Sequence, residues 1–184
     1  MAEMPHRPTI LAVQGGDREE IQHLLIAAAE RLKAAGVRVL GVVEDMAPGV
    51  SHHDIMLLDL ATGDTHRLHQ DLGPGAAGCS LDPEGLAAAC AGVETAIAAR
   101  SAEGGAAADT VVILSKFGRQ EAEGRGLTSA FYAAVAAEFS VLTSVSPSVS
   151  GEWGDFVGDM ARVVPAHLSE VEAWWAGVPE LVAE

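Results

Sequence analysis

The chain has 184 residues, with 26 Asp and Glu against 11 Lys and Arg, for a formal net charge of −15. That length suits one domain with one sizeable core, and with 49% apolar but only 4% aromatic residues that core must be filled by Ala, Val and Leu, which argues against disorder. The acidity excludes an extended nucleic-acid surface or a face for anionic membranes, both of which need a basic stripe, but leaves room for a small anion held locally by backbone N–H groups.

In chain order, Thr9 to Val13 reads as a short buried strand bounded by Gly15-Gly16. Asp17 is placed to cap a helix with Glu19 and Glu20 in its first turn. Ile21, Leu24, Leu25, Ala28 and Leu32 then recur at helical spacing up to Gly36. Val37 to Val43 reads as a second strand, so the opening is a strand–helix–strand crossover of a parallel sheet. Asp54 to Leu60 and Thr65 to Gln70 form a predicted β-hairpin turning at Thr62–Asp64. A glycine loop, Gly73 to Gly78, leads to Asp82-Pro83-Glu84, a strong helix start with Asp at the cap and Pro in the first position. Leu86, Ala89, Cys90, Val93 and Ile97 follow on one face, and Ser101 to Ala108 is a Gly/Ala turn. Thr110 to Leu114 is the clearest strand. A polar segment from Ser115 to Gly126 follows, then a helix over about Thr128–Glu138, a strand over Ser140–Val145, a short helix beginning near Trp153, and a closing helix carrying Leu168, Val171, Trp174 and Trp175.

The expected fold class is a single α/β domain over residues 1–184, with a three-layer, mostly parallel sheet and an inserted β-hairpin. Ligands in such sheets bind beyond the carboxyl ends of the strands. The loops Gln14–Arg18, Val43–His53 and Ser115–Gly126 meet that rule, and the glycine loop before Asp82 joins them. No uncharged stretch is long enough for a membrane span, and Glu3 near the start leaves no apolar signal segment. Two cysteines, Cys79 and Cys90, make no disulfide framework, so the expectation is a reduced, cytoplasmic protein.

Ser115 to Gly126 is the most informative stretch. It holds Lys116, one of two lysines in the protein, and its charges sum to +1, from Lys116, Arg119 and Arg125 against Glu121 and Glu123. Gly118, Gly124 and Gly126 would let the backbone approach a ligand, while Lys116 and Arg125 could pair with an oxyanion. The same residues also read as a solvated turn in which the cations pair with the two glutamates. Gly73, Gly75 and Gly78 with Cys79 and Ser80 could cradle an anion, although the segment also reads as an ordinary connection, and Asp82 would repel an anion at the helix cap. Between the first strand and first helix the G-x-x-x-x-G-K-[ST] pattern is absent, so conventional NTP hydrolysis through this loop is not expected. His52, His53, His66 and His69 read as exposed hairpin residues, and no metal site is expected. Trp153, Trp174 and Trp175, with no flanking base, read as core or an oligomer interface.

Three blocks carry a family resemblance: Asp59-Leu60-Ala61-Thr62-Gly63; Gln70 to Ala76 with Cys79 and Leu81-Asp82-Pro83; and Lys116-Phe117-Gly118 through Glu121-Ala122-Glu123-Gly124-Arg125-Gly126. In that order they resemble the bacterial domain of unknown function 2478 family. The resemblance implies a degenerate P-loop NTPase-like fold without the phosphate-binding loop, and a role in molybdenum homeostasis, since such proteins are often encoded beside molybdate-transport genes. The sequence departs from the family pattern at Ser80, where Arg is common, and at His69, where Ser is usual; if that Arg binds an anion in relatives, the site is rebuilt here. The leading expectation is therefore a non-catalytic binder of a small inorganic oxyanion, molybdate or tungstate, singly or as clusters. Lys116 and Arg125 would supply charge, Gln70 and Ser115 side-chain donors, and Phe117 belongs to the same block. The alternatives are a diverged nucleotide-binding NTPase-like enzyme with Glu121 or Glu123 as base, and an acidic homo-oligomeric assembly protein.

Overall fold

The computed structural model describes residues 9–49, 54–68, 81–106 and 108–182. These form seven strands in one sheet: β1 (Ile10–Gln14), β2 (Arg38–Glu44), β3 (Met56–Asp59), β4 (Thr65–Arg67), β5 (Thr110–Phe117), β6 (Ser140–Val145) and β7 (Ala161–Pro165), in the order β4-β3-β2-β5-β6-β1-β7. Neighbours from β2 to β7 run parallel, and the predicted hairpin adds β3 and β4 antiparallel on the β2 side. The helices are α1 (Arg18–Ala34), α2 (Pro83–Ala102), α3 (Arg119–Ala122), α4 (Thr128–Ala136), α5 (Ser150–Val157) and α6 (Leu168–Val182).

The strand residues alternate between two cores, as the two-residue period of a strand requires. Ile10, Ala12, Val42, Val112, Leu114 and Val141 pack with α2, α4 and α5 on one face. Leu11, Val13, Val43, Val111, Ile113 and Leu142 pack with α1 and α6 on the other. This is the three-layer α/β architecture expected, with both faces of the parallel sheet covered. Asp17 caps α1 through a reciprocal pair with Glu20, and Asp82 caps α2 with Pro83 at its first position. All five residues assigned to one face of α2, Leu86, Ala89, Cys90, Val93 and Ile97, are buried.

Three elements differ from the sequence reading. β5 continues through Ser115, Lys116 and Phe117, with a register shift between Leu114 and Phe117, so the polar loop begins only at Gly118. The helix near Trp153 starts at Ser150 and ends at Val157. β7 is an additional edge strand that the sequence reading did not contain. Its Arg162 and Val163 face outwards, so no continuous apolar run marks it. Among the described residues, no helix is long and apolar enough to cross a membrane.

Candidate functional site

The chain leaves β1 through α1 on one face of the sheet and leaves β6 through α5 on the opposite face. Because β1 and β6 are neighbours, their carboxyl ends splay the two connections apart and open a crevice between them. A cleft of about 180 Å³ lies there, lined by Gly15 and Gly16 after β1, Arg18 and Gln22 of α1, Glu44 of β2, Lys116 of β5, and Ser144 and Ser146 at the end of β6.

Lys116 reaches this cleft at the register shift that ends β5: Leu114 and Phe117 pack in the same core, so the alternation breaks between them and leaves Lys116 exposed. Its ammonium makes no ion pair with the described residues. The other cation of the cleft, Arg18, donates through Nε to Glu44, whose side chain is only 5% exposed. Gln22, buried within α1, holds the floor together. Its Nε2 donates to the Ser115 carbonyl at 3.1 Å, and its Oε1 accepts from the Glu44 N–H at 2.9 Å. Ser144 Oγ donates to the same Ser115 carbonyl at 2.8 Å. Gln22 thus ties the ends of β2 and β5 to α1, and Ser144 joins β6 to them through the Ser115 carbonyl.

The start of α1 is partly occupied by its own carboxylates. Glu20 N–H donates to Asp17 Oδ1 and Asp17 N–H donates to Glu20 Oε2, both at 2.9 Å. Two of the amides that an anion would use at a helix start are therefore occupied, and the adjoining charge is negative.

The block from Gly118 to Gly126 has a different role from the one its composition implied. Glu121 is buried, and its carboxylate accepts from the Gly118 N–H at 3.0 Å and the Leu127 N–H at 2.9 Å. The loop wraps this carboxylate so closely that a Cβ at Gly126, whose φ is +62°, would lie 2.1 Å from Glu121 Oε1. Gly126 is there for close approach, to Glu121 rather than to a ligand. Arg125 donates through Nε to Gln120 at 3.2 Å and pairs with Glu123, which also faces Arg119 at 3.5 Å. The pairing of loop cations with a glutamate thus holds for Arg119 and Arg125, with Glu123 as the partner, and does not extend to Lys116.

Lys116 and Arg125 therefore line separate cavities. Arg125 and Gly126 face one of about 440 Å³ beside Leu81, Pro83 and Leu86 at the start of α2. Phe117 is 1% exposed and packs edge-on against Phe131 and Trp153 with centroids 5.9 and 5.1 Å away, so it lies beneath the site, in the core. Ser115 contributes its carbonyl to the floor and is itself buried. Gly118 lies beside the Lys116 stem, and Gly124, with φ +77°, turns the chain after α3. Gln70, Gly73, Gly75, Gly78, Cys79 and Ser80 lie outside the described residues, as do His52, His53 and His69. Trp153 and Trp174 are buried core residues. Among the described residues no group of His, Cys, Asp and Glu could hold a metal ion.

Sequence reasoning missed Gln22, Arg18, Ser144 and Ser146. Gln22 carried a signal: it shares a helical face with Leu25 and Ala29, three and seven residues on, and all three are buried. The loop after β6 met the strand-end rule as fully as the three loops that were chosen.

The family model described as "Protein of unknown function (DUF2478)" matches residues 10–174, and the chain belongs to that family. Among curated proteins, it is similar to "Molybdenum import ATP-binding protein ModC 2" of Bradyrhizobium diazoefficiens, with 32% identity over 168 residues, 90% of this chain. The match spans only 18% of that longer protein. Among solved structures, THEP1 from the hyperthermophile Aquifex aeolicus matches with a TM-score of 0.61, covering 96% of this chain and 99% of that one, at 11% identity. The fold is accordingly the P-loop NTPase-like α/β fold, here without the loop sequence that gives the class its name.

Proposed function

We propose that this member of the DUF2478 family binds a small tetrahedral oxyanion in the β1/β6 crevice, with molybdate and tungstate as the candidate ligands. The observation that carries the reading is Lys116: a cation without an ion-pair partner among the described residues, in a cleft at the topological switch point of an otherwise strongly acidic protein. Ser146 adds a hydroxyl, since the Ser144 proton is already given to the Ser115 carbonyl, and Arg18 adds a second cation already balanced by Glu44. Size favours an ion over a nucleotide. Sites for organic ligands run to about 300–1,000 Å³, whereas this cleft is about 180 Å³. The name of the Bradyrhizobium relative supports molybdenum as the element concerned.

The reading is of a binding protein and not an enzyme. Glu121, the buried carboxylate of the most informative block, already accepts two backbone N–H groups. The family block remains part of the proposal through Lys116 and Gly118, while Arg125, Gly124 and Gly126 shape the loop beside it. The test is calorimetric titration with sodium molybdate, tungstate and sulfate, and with Mg-ATP, on wild type and Lys116→Ala. A charge-assisted hydrogen bond contributes about 1.5–3 kcal/mol, so the variant should bind molybdate about ten- to a hundredfold more weakly. Equal binding by both proteins, or binding of Mg-ATP in place of molybdate, overturns the proposal.

A further inference from the structure

The two lysines of this chain lie at opposite ends of the sheet. Lys116 is at the carboxyl end; Lys33 lines a cavity of about 460 Å³ at the amino end, together with Arg38, Arg100 and Asp109. Three of the protein's 11 basic side chains thus border one cavity. Two of them have local explanations. Lys33 and Arg100 sit in the last turns of α1 and α2, where a helix favours cations. Arg100 is further engaged: its Nε donates to Thr110 Oγ1 at 3.1 Å, and it pairs with Asp109 at 3.1 Å and Glu103 at 3.5 Å. Lys33 donates to the Leu60 carbonyl, which leaves ammonium hydrogens unused.

Arg38 has no such account. It is the first residue of β2, it is exposed, and its guanidinium makes no ion pair with the described residues. The Asp109 carboxylate, the acid bordering the cavity, is engaged with Arg100, while the Asp109 carbonyl accepts from the Arg38 N–H at 2.9 Å. Val37, half-buried, and Ala61, exposed, add apolar surface to the lining, while Leu40 and Leu60 lie almost wholly beneath it.

We infer that this cavity is a second ligand site, for a phosphomonoester with an apolar body. Two observations select that class. A phosphomonoester carries about −1.5 to −2 charges at neutral pH, which matches Lys33 and Arg38 together, whereas a carboxylate would leave one cation unanswered. The volume falls within the range of organic ligands, above that of a bare ion, and Val37 and Ala61 give the body apolar surface to cover. The site is separate from the Lys116 crevice and stands whether or not an oxyanion binds there.

The experiment is calorimetric titration of the full chain with phenyl phosphate, beside benzyl alcohol and inorganic phosphate. The variants are Arg38→Ala, Lys33→Met and Lys116→Ala, each checked for folding by circular dichroism. Phenyl phosphate should bind, benzyl alcohol should not, and inorganic phosphate should bind more weakly. Arg38→Ala and Lys33→Met should each weaken phenyl phosphate about tenfold or more, and Lys116→Ala should leave it unchanged. Arg38 is exposed and makes no side-chain contact that holds the fold, so its variant keeps the test sound if Lys33→Met is unstable. No heat from phenyl phosphate at about 10 mM, a concentration that reveals even a millimolar site, overturns the inference. So does binding that Arg38→Ala leaves intact, or binding that Lys116→Ala abolishes.

Discussion

Replacing Glu121 with Ala removes the acceptor around which the Gly118–Gly126 loop is wound. Both carboxylate oxygens are used, one by the Gly118 N–H at 3.0 Å and one by the Leu127 N–H at 2.9 Å, and the side chain is buried. Gly118 and Leu127 are themselves buried, so neither amide has ready access to water when the carboxylate goes. Hydrogen bonds to a charged group contribute about 1.5–3 kcal/mol each, so Glu121→Ala should cost about 3–5 kcal/mol. For a chain of this size each kcal/mol lowers the melting temperature by about 2–4 °C, giving a fall of roughly 6–20 °C. Glu121→Gln keeps one acceptor oxygen and turns a donor towards the other amide, so it should cost roughly half as much. Urea and thermal denaturation, followed by circular dichroism and tryptophan fluorescence, read both variants. Glu121→Ala within about 0.5 kcal/mol of wild type, the scatter of ordinary surface changes, would refute the structural role. If Glu121 were instead a catalytic base, Glu121→Gln would leave stability intact and remove turnover.

Phe117→Ala should cost about 3–5 kcal/mol by opening a cavity among Phe131, Trp153 and Phe156; denaturation that shows less than about 1 kcal/mol would place Phe117 outside the core. Asp109 gives a pH-dependent test. Burial pushes its carboxyl up, but hydrogen bonds from Thr110 and Ala106 and the adjacent Arg100 guanidinium outweigh that and hold it below the usual 3.8. A depressed carboxyl stabilises the fold above its unfolded value and loses that contribution as the pH falls through its folded value. Asp109→Asn should therefore be less stable than wild type at neutral pH, by under about 1 kcal/mol because the carboxylate is half exposed. The gap should close below the unfolded value, and urea titrations between about pH 2 and pH 7 would refute this if the gap widened in acid.

Much of the fold could be read from the sequence because its local signals agree with its packing. Asp17 with Glu20 and Asp82 with Pro83 mark the helix starts, and the apolar faces of α1 and α2 carry the helical period. β7 escaped because an edge strand needs no continuous apolar run, and here Val164 alone turns inwards. The end of β5 escaped because Ser115 and Lys116 are polar, yet the backbone still pairs Phe117 with Val145 across a register shift. The site was half readable. Lys116 was identified from its rarity and its place after the clearest strand. Its supposed partner Arg125 was not separable from it by sequence, since only the winding around Glu121 turns Arg125 towards another cavity. That winding had a signal in retrospect: Glu121 stands at the third helical position after Gly118, where a carboxylate reaches back to the preceding N–H.

The arrangement also bears on what the crevice can distinguish. A phosphate-binding loop surrounds its anion with backbone N–H groups at the start of the first helix and adds a lysine from that helix. Here Asp17 and Glu20 occupy two amides of that helix start, and the cation arrives from β5, two strands away from β1. On the proposed reading, an anion in the crevice is held chiefly by the exposed Lys116 ammonium and the Ser146 hydroxyl, with the Gly15-Gly16 backbone beside them. Such a site selects by charge and size, and its strength falls as salt screens an exposed lysine. Tighter selection between molybdate and the smaller sulfate has to come from Arg18. Its guanidinium offers a fixed fork, but Glu44 already engages it. If the anion of the proposed reading engages Arg18, it draws the guanidinium from Glu44, so Arg18→Ala should weaken molybdate and tungstate; unchanged affinity in calorimetric titration would refute that role for the pair.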